Sequence, residues 1–194
     1  MKKLYLVVGA SGSGKDYIVD KLCRELNMTR CISRTTRPKR GNDDKHIFVS
    51  NLQALEEIPR SVAYSDYNGY HYYVLPDDLK NIDFYIIDVK GVQSLKKYIE
   101  THDDLDDISI EVLYINAPAM IRYLNMKKRG DKFKDRLRRL KIDKTEFEGF
   151  KGDSNFRSSD ELYDYFRMKN IFDEYKRRSD RIREFYNVYN EEKE

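Results

Sequence analysis

The sequence predicts an α/β fold, a mostly parallel central sheet covered by helices on both faces. Three observations predict it. Apolar runs at residues 4–8, 84–87 and 108–115 read as strands, the first two almost continuously apolar. Continuous apolar runs are expected of parallel strands buried on both faces. Stretches with helical periodicity at 16–26, 91–100 and 118–129 lie between and after these runs, so strand and helix alternate along the chain.

The first strand, Lys3-Leu4-Tyr5-Leu6-Val7-Val8, runs directly into Gly9-Ala10-Ser11-Gly12-Ser13-Gly14-Lys15. Three of the nine glycines fall within these six positions, 9–14. An amphipathic helix follows from Asp16 through Tyr17, Ile18, Val19, Leu22 and Cys23. Strand, glycine loop, lysine and helix form the setting of a phosphate-binding P-loop. The glycines let successive N–H groups turn inward, the helix N-terminus adds partial positive charge, and Lys15 adds a full one. A nucleoside triphosphate is the expected ligand of residues 9–16. The motif calls for Ser or Thr after the lysine, and this chain has Asp16. That carboxylate reads either as a Mg²⁺ contact, direct or through water, or as an acid favoured by the helix dipole.

Residues 33–75 differ from the rest. They are polar, rich in Arg, Thr, Asn and Tyr, and read as an insertion outside the main sheet. Within them stands Ser33-Arg34-Thr35-Thr36-Arg37-Pro38-Lys39-Arg40-Gly41, where Arg37 and Arg40 suit a dianionic phosphate because the guanidinium fork matches phosphate oxygens. Asp66-Tyr67-Asn68-Gly69-Tyr70-His71-Tyr72-Tyr73 follows as a glycine turn crowded with phenolic donors. Then comes Ile86-Ile87-Asp88-Val89-Lys90-Gly91-Val92, in which Asp88 is either a strand-end carboxylate facing a ligand or the N-cap of the next helix.

The run 108–115 is the third strand, and Pro118 suits the start of the next helix. Residues 122–141 carry ten basic and two acidic side chains, and residues 100–107 carry five acids and no Lys or Arg. A basic run of this kind is a solvated helix face, a nucleic-acid patch or a phosphate-handling segment. The tail opens on Ser158-Ser159-Asp160-Glu161, which resembles a capping box, and its apolar spacing suits one or two long helices.

Bulk properties narrow the class. At 194 residues the chain fits one domain and needs no disulfide support. Cys23 and Cys31 match neither a disulfide framework nor a zinc spacing, and His46, His71 and His102 are scattered. The N-terminal apolar run is too short for a signal peptide, and no stretch approaches the ~20 apolar residues of a membrane span. A cytoplasmic protein without membrane contact is expected, with a net charge of +3.

Four blocks in order, the P-loop, the S-x-T-T-R-x-x-R run, the tyrosine-glycine turn and the D-x-x-G-V strand end, resemble guanylate kinase, one of the P-loop nucleoside monophosphate kinases. The resemblance covers roughly residues 3–140. It implies a three-layer α/β/α P-loop fold with a small acceptor-binding insertion (about 33–75) and a helical lid (about 125–141), the core being about 1–32, 76–124 and 142–194. It implies phosphoryl transfer from ATP, with Mg²⁺, to GMP or dGMP. Ser33 would touch the acceptor base, Arg37, Arg40 and Tyr72 its phosphate, and Asp88 the guanine ring. His46 stands where the family has a second phosphate-binding tyrosine. The lid would bring Arg129 and Arg136, with Arg138 as the alternative, to the transferring group. A monomer or homodimer is expected, without a nucleic-acid partner.

The chain departs from the family in three places. The position of the family's guanine-reading glutamate is Ala63, with Ser65 and Asp66 the nearest polar residues. Gly14-Lys15-Asp16 resembles ribose 1,5-bisphosphate phosphokinase and phage deoxynucleotide kinases. The family's last short strand is not visible in residues 147–155. Ala63 and Asp16 favour, as an alternative, a kinase for another phosphorylated acceptor such as ribose 1,5-bisphosphate or a phage nucleotide, and a non-catalytic guanylate kinase-like module that binds a protein is a further alternative, against which Lys15 and the loop glycines stand.

Overall fold

The computed structural model describes residues 1–39, 45–67 and 69–191. Four parallel strands form the central sheet: β1 (Lys2–Gly9), β6 (Phe84–Ile86), β7 (Ile108–Ile115) and β8 (Ser154–Phe156), in the order β6-β1-β7-β8. Alternate residues of β1 serve different layers, which is why its apolar run is continuous. Leu4, Leu6 and Val8 join Val92 and Leu95 of helix α3 (Val89–Thr101) and Val112 of β7 in one core. Tyr5 and Val7 join Ile18 and Leu22 of α1 (Lys15–Leu26) and Leu162 and Phe166 of α6 (Ser159–Glu191) in the other. The result is the three-layer α/β/α arrangement.

Strand β8 escaped the sequence reading for a physical reason. It is only Ser-Asn-Phe, and of these Phe156 alone is buried. The Asp153 carboxylate holds its start by accepting from the Val112 N–H at 2.7 Å. The tail is a single helix. Ser158 Oγ accepts from the Glu161 N–H at 3.1 Å, and Glu161 reaches back to the Arg157 N–H at 2.7 Å. No helix among the described residues is long and apolar enough to cross a membrane.

Residues 33–74 build a second sheet from β2 (Ser33–Thr35), β3 (His46–Phe48), β4 (Ala63–Tyr67) and β5 (Tyr70–Val74), in the order β3-β2-β5-β4. The hairpin β4–β5 turns at Gly69, whose φ of 74° favours glycine. Helix α2 (Asn51–Glu57), capped by Ser50, contributes Glu57 to the network on one face of this sheet. There Arg34 pairs with Glu57 at 3.3 Å and with Asp78, and the Tyr73 hydroxyl donates to Glu57 at 2.7 Å. Helices α4 (Ala119–Lys128) and α5 (Phe133–Glu146) leave β7 and return to β8.

Candidate active site

The P-loop sits where β1 ends and α1 begins, and its glycines are there for measurable reasons. A Cβ at Gly9 would lie 2.6 Å from Ser13 Oγ and 3.2 Å from the Ile115 carbonyl. Gly12 and Gly14 have φ of 78° and 90°, the left-handed region that side chains avoid. The Ser13 N–H closes the bend onto the Ala10 carbonyl at 3.0 Å. Gly14 is the N-cap residue of α1, and no side chain caps that helix. The first-turn N–H groups, which have no intrahelical partner, are therefore offered to an outside acceptor. Ser13 is 2 % exposed, and its hydroxyl has no hydrogen-bond partner.

The loop is enclosed by other elements. The Arg122 carbonyl of α4 comes within 2.5 Å of where a Gly12 Cβ would be, and Ser159 of α6 comes within 3.0 Å of the same point at Gly14. Asn125 Nδ2 donates to the Gly12 carbonyl at 2.8 Å. From α5 the Asp143 carboxylate accepts the Ser11 N–H at 3.0 Å and its hydroxyl at 3.3 Å, and pairs with Arg122 at 2.7 Å. A cavity of about 180 Å³ beside Ala10 is lined by Asn116, Arg122, Asp143 and Lys144. Arg122, Asn125 and Asp143 were not picked out from the sequence. The only hint there is that Asp143 is the first acid after a strongly basic stretch.

Strand register brings three of the expected acceptor residues, Ser33, His46 and Tyr72, onto one face of the second sheet. Thr35 faces Phe48 on one side and Tyr72 on the other, and Tyr72 faces Ser65. Ser33 and His46, a pair two residues along, share that face because side chains alternate with period two. Ser33 Oγ lies 3.0 Å from His46 Nδ1, and the His46 ring meets the Tyr72 ring edge-on at 5.7 Å. The buried Arg37 puts its guanidinium 5.6 Å from the Phe48 ring, and its backbone N–H donates to Thr35 Oγ1 at 3.1 Å. Arg40 lies outside the described residues. Ala63 is fully buried. Of the two nearby polar residues, Ser65 is on the acceptor face. Asp66 is on the opposite one, exposed and 3.9 Å from His71.

Asp88 is the N-cap of α3, its Oδ1 accepting from the Gly91 N–H at 2.7 Å. The capping role anticipated for it is therefore realised, and the carboxylate sits at the C-terminal edge of the parallel sheet, where α/β folds bind ligands. Glu146, at the end of α5, has its carboxyl raised by burial and then by the charges of Asp88 and Asp143, with Lys90 and Lys15 opposing.

The basic arms place their arginines differently. Arg129 is half exposed and grips Asp131 through Nε at 2.9 Å and Nη2 at 2.6 Å, which raises its pKa. Arg136 is buried between Tyr123 (4.6 Å) and Phe133 (5.7 Å), with Nε lacking a partner. Arg138 is half exposed, 3.9 Å from Asp135. In this conformation Arg129 is the accessible member of the predicted pair, and Arg136 is packed between α4 and α5.

Asp16 is half exposed, 3.8 Å from Arg30. Among the described residues no group of three or more His, Cys, Asp or Glu comes together as a metal cage. Burial pushes the Cys31 thiol up to about 12, so it is an inert core residue.

The guanylate kinase family profile matches residues 1–174. Among solved structures, guanylate kinase from Anaplasma phagocytophilum superposes with a TM-score of 0.57 at 19 % identity, over 87 % of this chain and 84 % of that one. At that identity the likeness is one of fold. No curated protein matches the sequence. The family match spans both the loop and the acceptor face, and on it the chain belongs to the guanylate kinase family of phosphotransferases, kinases of nucleoside monophosphates.

Proposed function

We propose that the protein transfers the γ-phosphoryl group of ATP to GMP or dGMP, giving ADP and the nucleoside diphosphate. One observation carries this reading. Two anion-receptive surfaces occur in one chain, the uncapped P-loop and the face bearing Ser33, His46, Tyr72 and the buried Arg37.

In this reading the loop amides and Lys15 hold the β- and γ-phosphates. Arg37, Arg40, His46 and Tyr72 hold the acceptor phosphate, and Ser33 and Asp88 meet the base. An acceptor phosphate oxygen attacks the γ-phosphorus, the bond from that phosphorus to the β,γ-bridging oxygen breaks, and ADP leaves. The attacking oxygen is already ionised, so no side chain needs to remove a proton. Catalysis is alignment plus neutralisation of charge on the peripheral oxygens. Residues 125–141 act as a lid that excludes water, with Arg129 delivered to the transferring group once Asp131 releases it. The donor set fits Mg²⁺ entering with ATP, because Asp16 can add a single carboxylate to the phosphate ligands, the usual way this ion is held. A cytoplasmic location, where both nucleotides occur, accords with this reading.

The test is ADP release with GMP, dGMP, AMP, UMP and TMP as acceptors. Turnover is expected to be fastest with GMP or dGMP, and Lys15→Ala should lower it at least 100-fold. No turnover with any acceptor would defeat the proposal.

A further inference from the structure

We infer that Asp143 is a positioning residue for the P-loop, acting with Asn125 to fix the loop backbone from helices α5 and α4; the inference rests on the ATP-binding reading above. The Asp143 side chain is 4 % exposed, and both its oxygens are occupied. Oδ2 accepts from the Ser11 N–H at 3.0 Å and from Arg122 Nη1 at 2.7 Å, and Oδ1 accepts from the Ser11 hydroxyl at 3.3 Å. A carboxylate this deep is tolerated only with a cation and hydrogen bonds around it. Here the cation comes from α4 and the hydrogen bonds from a single loop residue. One residue on, the Gly12 carbonyl accepts from Asn125, also on α4, at 2.8 Å. One peptide unit is thus held at its N–H and a nearby one at its C=O, on either side of the left-handed Gly12. The bend that aims the later amides at phosphate is set before the ligand arrives, and any movement of α4 or α5 is felt there.

Charge alone predicts the opposite consequence from positioning. Removing the Asp143 charge leaves Arg122 without its counterion beside an anion site, which should tighten ATP binding. If the carboxylate positions the loop, Asp143→Asn loosens ATP binding, because a neutral amide oxygen then accepts from both the Ser11 N–H and Arg122 in place of a charged one, which weakens the hold on each.

The experiment uses the full chain with Asp143→Asn and with Asn125→Ala, the latter at an exposed position that leaves no buried charge unpaired. Calorimetry measures the Kd of MgATP and, separately, of GMP. Amide exchange of residues 10–14 is followed without nucleotide. We expect the ATP Kd to rise at least 10-fold in Asp143→Asn and about 3- to 10-fold in Asn125→Ala. The GMP Kd should stay within twofold, and loop exchange should quicken at least 10-fold. A merely structural role would weaken both ligands together and quicken exchange throughout α5. An ATP Kd that is unchanged or tighter, or unaltered loop exchange, overturns the inference. Should Asp143→Asn fail to fold, Asn125→Ala decides by the same outcomes. If the unmutated chain binds no ATP, the proposed function falls, while the nucleotide-free exchange comparison still decides whether the loop is held by these side chains.

Discussion

Replacing Gly12 by alanine tests whether helix α4 really seals the P-loop. Gly149, in the turn after α5, is its internal control. Both glycines have positive φ, 78° and 70°, so both variants carry the left-handed penalty of about 1–2 kcal/mol. They differ in surroundings. A Cβ at Gly149 meets nothing within 4 Å, so Gly149→Ala should cost only that penalty. A Cβ at Gly12 falls 2.5 Å from the Arg122 carbonyl and 3.1 Å from Met126 Cγ. Ordinary contact begins near 3.4 Å, so α4 must retreat by most of an ångström, and overpacking of this kind adds about 1–3 kcal/mol. Gly12→Ala should therefore lose about 2–5 kcal/mol in urea unfolding, against about 1–2 kcal/mol for Gly149→Ala. For a chain of this size each kcal/mol shifts Tm by roughly 2–4 °C, so thermal melts separate the two variants as well. Equal losses would refute the close approach of α4 to the loop.

Arg34→Met should destabilise by about 3 kcal/mol at neutral pH, because it strands Glu57 and Asp78, whose side chains are mostly buried, without their cation. The loss should shrink on acidification as the stranded Glu57 carboxyl takes up its proton, which urea titrations at pH 7 and pH 4 would reveal. Glu146 should behave in the opposite sense. Burial and then the Asp88 and Asp143 charges raise its pKa on folding, so the folded state holds the proton more tightly and stability declines as pH rises from the unfolded value toward the folded one. Glu146→Gln should therefore raise Tm at pH 7–8 and make no difference below about pH 4. A lower Tm for Glu146→Gln at neutral pH would contradict the burial of Glu146 and the acidic charges near it.

Local chemistry made much of the site legible. The P-loop could be read because its constraint lies within one stretch. The bend needs glycine at positions with positive φ, a strand must feed it and a helix must leave it, and all three requirements fall on contiguous residues. The long strands could be read because burial on both faces leaves a simple apolar signature. Strand β8 could not, since its identity depends on Asp153 anchoring it to Val112 of β7, 41 residues away in the chain. Asp88 lay between these cases. Its N-cap spacing is local, whereas the neighbouring Glu146 is brought beside it by the fold.

The sequence by itself determined the α/β class, the glycine loop between strand and helix, the family and the stretches rich in cationic and hydroxyl side chains. These follow from periodicity and from backbone demands that only certain residues satisfy. The tertiary structure decided which residues face one another. Register puts Ser65 with Thr35 and Tyr72 and turns Asp66 away, packing hides Arg136 and leaves Arg129 accessible, and the return of α5 lays Asp143 on Ser11. Sequence separation erases such pairings from any local pattern, because a contact across 132 residues is set by how whole layers pack rather than by the neighbours of either residue.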